Sequence, residues 1–179
     1  MDRKKLRKLI LAAFFAALIF LGIYIIKIPT LNGYVHFGDG LIYVAASLIS
    51  LPYAVAAAAV GGALSDLLAG YAVYVPATAI IKGLMALAVG LIVKNNRFVN
   101  RLCGRSEGRG NVWTLVLAAV IGGAVNVFGY FVAECIMYGV AGAAAALGGN
   151  AIQSAAGVVI YMILLPVAAK AIQYFNVDK

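Results

Sequence analysis

Residues 9–28 read Leu9-Ile10-Leu11-Ala12-Ala13-Phe14-Phe15-Ala16-Ala17-Leu18-Ile19-Phe20-Leu21-Gly22-Ile23-Tyr24-Ile25-Ile26-Lys27-Ile28. This run matches the roughly 20 apolar residues that an α-helix needs to cross a bilayer core. It is too long for the apolar region of a secretory signal and lacks a convincing small-residue cleavage site, so it is expected to be a retained helix. Similar runs recur along the chain. Hydrophobic residues make up 65% of the sequence and charged residues 11%, and the mean hydropathy is +1.02. The expected fold is an all-α integral membrane protein, one six-helix bundle. Its spans fall at about 9–28, 40–51, 53–72, 76–93, 112–133 and 151–172, ahead of any structure. The Gly/Ala-rich segment 139–149 reads either as a loop or as an extension of span 5.

The net charge of +8 would suggest nucleic acid in a soluble protein. Here the basic residues collect at the ends of apolar runs, so orientation is the better explanation and no nucleic-acid partner is expected. Arg3, Lys4, Lys5, Arg7 and Lys8 precede span 1, and Lys94, Arg97, Arg101, Arg105 and Arg109 follow span 4. With six spans both groups fall on one side with Lys170 and Lys179. Cytoplasmic loops carry the positive charge, so both termini are expected in the cytoplasm. Cys103 and Cys135 form neither a metal-ligand spacing nor a disulfide framework, and no metal or cofactor is expected.

Within this apolar chain, ionisable residues at membrane depth stand out. Each costs about 2.5–3.5 kcal/mol on the most lenient scale unless paired or solvated, and such residues usually face a cavity. Placed by depth, the polar residues converge on the outer half. Tyr34, His36 and Asp39 lie in the loop after span 1. Asp66 is in the outer third of span 3, with Tyr74 beyond it. Thr78 and Lys82 share a face of span 4, and Asn126, Tyr130 and Glu134 share a face of span 5. Asn150 and Gln153 open span 6. This set predicts an outer substrate pocket, with aromatic rings for stacking, amides reading donors and acceptors, and a charge fixing one polar group.

Simpler readings stand beside this one. Asp66 and Lys82 also fit a structural ion pair between spans 3 and 4, and Glu134 a place in the bilayer interface. Tyr71 fits the aromatic belt better than the pocket. His36 fits ligand contact and a loop hydrogen bond equally, and Lys27 fits snorkelling. The inner half appears apolar, which disfavours a through-going path. A self-sufficient small transporter or channel is the alternative function, although the halves show no convincing repeat. An intramembrane hydrolase would need a nucleophile with a base, and the lone histidine is in the outer loop.

The pairs Ala12/Ala16 and Ala13/Ala17 form strips of small residues that allow close helix approach. Internal packing and partner docking both explain them.

Taken in order, these residues resemble the substrate-binding S component of energy-coupling factor (ECF) vitamin transporters over nearly the whole chain. The Leu-Ala-Ala-Phe-Phe-Ala-Ala strip at 11–17 resembles the family's alanine motif in helix 1. The resemblance continues in His36-Phe37-Gly38-Asp39, in Asp66 with Gly70-Tyr71, in Pro76-Ala77-Thr78 and Ile81-Lys82-Gly83, and in Asn150 with Gln153. It implies a plasma-membrane protein of a prokaryote that binds one vitamin or precursor from outside, with hydroxymethylpyrimidine-like or pyridoxine-like compounds favoured. It further implies that Ala12, Ala13, Ala16 and Ala17 dock on a transmembrane scaffold subunit, which carries two ATP-binding subunits. The family's S component is no enzyme, and this chain has no Gly-x-x-x-x-Gly-Lys-[Ser/Thr] loop of its own.

Overall fold

The computed structural model describes residues 2–30, 33–104 and 111–174, with side chains omitted for 27–34 and 174. Helix α1 (Arg3–Tyr24) is capped by Asp2, whose carboxylate accepts the Lys4 amide hydrogen at 3.2 Å. It ends four residues short of the expected Ile28. Pro29 disfavours helical geometry in the residue before it, and residues 27–30 instead form β1 (Lys27–Thr30), antiparallel to β2 (Gly33–His36). The region expected to be a loop is therefore a hairpin, the one non-helical element among the described residues. The hairpin folds back onto α1, and the Phe37 amide donates to the Gly22 carbonyl at 3.0 Å.

Helix α2 (Gly38–Leu48) has 11 residues, which cover only about 16 Å of a roughly 30 Å bilayer core. It lies in the middle of the protein, with Ile42, Tyr43, Val44 and Ala45 fully buried. Helices α3 (Leu51–Leu68) and α4 (Val75–Val93) each carry a proline in the first turn, where no intrahelical amide partner is lost. A single 3₁₀ turn, Ala72–Tyr74, joins them. The polar connection after α4 contains a short helix, α5 (Arg97–Leu102), capped by Asn96.

The last helical stretch, α6 (Val112–Tyr174), is broken at Gly139, with φ 78° and ψ 171°. That backbone region is essentially reserved for glycine. Segment 140–149 is helical and belongs to the half after the break, not to span 5. The earlier half runs to 138, past the expected end at 133.

Four helical stretches are long and apolar enough to cross a membrane: α1, α3, α4 with its preceding turn, and α6. Their outward faces are apolar too. Ile136 is 82% exposed and Phe128 70%, which suits hydrocarbon and not water.

Candidate functional site

Helices α1 to α4 and the two halves of α6 alternate in direction, so one end of the bundle collects the hairpin, the start of α2, the end of α3, the start of α4 and both sides of Gly139. At that end lies a cavity of about 300 Å³. Its wall includes His36, Asp66, Tyr74, Thr78, Lys82, Asn126, Tyr130, Glu134, Asn150 and Gln153, all expected from the sequence. Tyr34 belongs to β2, but its side chain lies outside the described residues.

The sequence left open whether Asp66 and Lys82 form a structural pair or meet a ligand, and the structure gives Lys82 a different carboxylate, Asp39. The Lys82 Nζ donates to Asp39 Oδ1 at 2.6 Å and to Asn126 Oδ1 at 2.8 Å. Lys82 is 2% exposed and Asp39 0%. Asp39 does not line the cavity; it lies beneath the wall and holds it. Gly62 on α3 makes this possible, because a β-carbon there would come within 2.9 Å of the Lys82 Cγ. Asp66 instead accepts from the Thr78 hydroxyl, which also bonds the Tyr130 hydroxyl at 2.9 Å.

Gln153 ties α6 to the hairpin. Its Oε1 accepts the His36 amide hydrogen at 2.8 Å, and its Nε2 donates to the His36 carbonyl and to Asp39 Oδ2, each at 3.1 Å. His36 Nδ1 accepts the Gly38 amide hydrogen at 3.2 Å while the ring borders the cavity, so both readings of this residue meet in one place. Asn126 continues the network by donating to Ser154 Oγ at 3.1 Å.

Two wall atoms are left over. Glu134 Oε2 and Asn150 Nδ2 are buried without a well-formed hydrogen bond, although the two side chains lie close enough to interact with each other. An acceptor and a donor placed so at one cavity can satisfy each other or a polar group that enters it.

The aromatic side of the cavity is larger than expected. Tyr71, assigned to the aromatic belt from sequence, borders the cavity although it is 50% exposed. Its ring centroid lies 6.4 Å from that of Tyr74, which is 6.5 Å from Tyr130 and 6.1 Å from Tyr138. Ile23, Ser65, Ala146 and Gly149 also line the cavity. Ile23, Ala146 and Gly149 are apolar and carried no signal in an apolar chain. Ser65 and Ser154 adjoin Asp66 and Gln153, and that adjacency was the available clue.

A second cavity of about 360 Å³ opens at the opposite end, bordered by Lys8, Ser47, Ser50 and Lys94 among others. That end, expected from sequence to be apolar, thus carries polar residues of its own. Between the two ends, Ile42 and Tyr43 on α2 and Met85 and Val89 on α4 are fully buried.

The small-residue strip on α1 divides. Ala16 faces α3, where a β-carbon on Gly61 would lie 2.7 Å from the Ala16 carbonyl oxygen. Ala12 is partly buried, whereas Ala13 and Ala17 are exposed.

A curated protein of Pyrococcus woesei, described as an uncharacterized protein in gap 3′ region, is 33% identical over 135 residues, 75% of this chain and 82% of its own length. The family described as ECF-type riboflavin transporter, S component, matches residues 3–171, covering every helix that builds the cavity. With its apolar exterior and one polar end, the chain belongs to the ECF-type riboflavin transporter S component family, multi-pass membrane subunits of a transporter and not enzymes.

Proposed function

We propose that the protein is the high-affinity binding subunit of an ECF-type importer for a small heteroaromatic vitamin or precursor. The observation that carries this reading is the convergence of polar side chains from β2, α3, α4 and both halves of α6 on one cavity. Two of its buried wall atoms lack a well-formed hydrogen bond. In this reading the chain is one membrane domain of six spans, with α6 counted as two across Gly139. Both termini and the 94–111 connection lie in the cytoplasm of a prokaryotic cell, and the cavity faces outward. The outward alanines of α1, Ala13 and Ala17, dock on the scaffold subunit, and two ATP-binding subunits drive uptake.

The family's description names riboflavin. The cavity of about 300 Å³ is at the lower end of ligand pockets, roughly 300–1,000 Å³. That size favours a single ring, as in hydroxymethylpyrimidine or pyridoxine, over three fused rings bearing a polyol chain. Native mass spectrometry of the purified protein, followed by calorimetric titration with riboflavin, pyridoxine and hydroxymethylpyrimidine, tests the reading. A co-purified or tightly bound single-ring compound is the expected result. Tight riboflavin binding would replace the single-ring assignment and keep the importer reading. Uptake by cells that lack every ATP-binding partner would favour a self-sufficient transporter, which the buried layer of Ile42, Tyr43, Met85 and Val89 argues against.

A further inference from the structure

The charges of the cavity do not balance as an anion site would require. Lys82 is the one lysine or arginine among the described lining residues, beside the titratable His36, and Asp39 already holds Lys82 at 2.6 Å. An incoming phosphate or carboxylate would therefore meet an ammonium whose charge the fully buried Asp39 already balances. Glu134 presents the opposite case. It is 7% exposed, borders the cavity, and its Oε2 has no well-formed hydrogen bond. A carboxylate at this depth is stabilised by a positive charge or a strong donor brought to it. Beside it stands the Tyr74 ring, with Tyr71 next to it, while the Tyr130 ring already carries the Lys82 ammonium 5.3 Å from its centroid. Tyrosine faces attract organic cations.

We propose that this site selects a ligand carrying a protonated amine or a positively charged ring nitrogen, read by Glu134, and rejects phosphorylated and carboxylated forms of the same ring. Asn150 Nδ2 supplies a donor to a neighbouring acceptor on the ligand. The inference deepens the vitamin-binding reading and rests on it.

One ring in three charge states tests it: pyridoxamine, with a protonated aminomethyl group, pyridoxine, and 4-pyridoxate, with a carboxylate. Riboflavin is included as a ligand without positive charge. Each is titrated calorimetrically into the purified full-length protein and into the Glu134→Gln and Asn150→Asp variants. Pyridoxamine is expected to bind more tightly than pyridoxine by about 10- to 100-fold, the range for a hydrogen bond to a charged group, and 4-pyridoxate to bind weakest. Glu134→Gln should shrink the gap between pyridoxamine and pyridoxine to a few-fold. Asn150→Asp, which adds a carboxylate beside Glu134, should widen it and keeps the test open if Glu134→Gln does not fold. Pyridoxine, 4-pyridoxate or riboflavin binding as tightly as pyridoxamine would overturn the charge selection and leave the vitamin-binding reading standing. A preference that persists undiminished in Glu134→Gln would also overturn it. Binding of none of the four to the wild type would overturn the charge selection and leave the vitamin-binding reading to the hydroxymethylpyrimidine titration.

Discussion

The Lys82 ammonium and the Asp39 carboxylate meet at 2.6 Å, 43 residues apart in sequence, and join the start of α4 to the first turn of α2. Neither reaches solvent to any useful degree. Removing one partner of such a pair strands the other, at a cost of about 3–5 kcal/mol. Lys82→Met is therefore expected to lower stability by that amount, and Lys82→Met with Asp39→Asn to recover most of it. Denaturation of the detergent-solubilised proteins measures both. A single variant as stable as the wild type would show that the pair does not hold the bundle.

Asn150 and Gln153 differ in what they already bind. Asn150 Nδ2 has no well-formed internal hydrogen bond, so Asn150→Ala is expected to weaken ligand binding by about 5- to 150-fold with little change in stability. Gln153 anchors the hairpin at both the amide and the carbonyl of His36. Gln153→Ala is expected to lose stability and affinity together. Titration and thermal denaturation of the same preparations separate the two; equal behaviour of both variants would contradict this division of roles.

Bulk on α1 should act differently on its two sides. Leucine at both Ala13 and Ala17, which face outward, is expected to abolish co-purification with the scaffold and ATP-binding subunits and to leave ligand affinity intact. Leucine at Ala16, which packs on Gly61, is expected to reduce stability and expression. Normal uptake by the Ala13→Leu/Ala17→Leu variant would remove the docking face.

Two glycines, one at the break in α6 and one in the helix after it, should respond with opposite sign. Gly139 has φ 78° and ψ 171°, so Gly139→Ala is expected to cost about 1–3 kcal/mol. Gly148 is helical, and nothing would lie within 4 Å of an added β-carbon. Gly148→Ala is expected to gain up to about 1 kcal/mol. Melting temperatures of the two variants moving in the same direction would argue against the break at Gly139.

Cys103 lies just after α5, in the connection between α4 and α6. An impermeant thiol reagent is expected to leave it unmodified in intact cells and to modify it after permeabilisation. Labelling in intact cells would reverse the proposed orientation.

Much of the outer end was legible because polarity is conspicuous against an apolar background. Thr78 and Lys82, and Asn126, Tyr130 and Glu134, recur every fourth residue, which places each set on one helical face. Their depth followed from counting along the helix. Ile23 and Ala146 border the same cavity but look like any other lipid-facing or core residue. The hairpin at 27–36 was hidden because Ile25, Ile26, Ile28 and Val35 suit a membrane helix and a strand equally.

Composition and periodicity alone determined that this chain is a helical membrane protein with a polar cluster at membrane depth near one end, since desolvation leaves a charged residue few places to be. They could not determine which charge meets which. From sequence Asp39 belonged to the outer loop and only Asp66 stood near Lys82 in depth; the pairing with Asp39 depends on how α2 inserts between α4 and α6. Gly62 decides how closely the Lys82 stem lies against α3. The side of α1 that faces out was likewise open, because Ala12/Ala16 and Ala13/Ala17 are identical as patterns, and contact with Gly61 decides between them. Pairing and facing are properties of helices brought within a few ångströms of one another, and only the tertiary structure sets those distances.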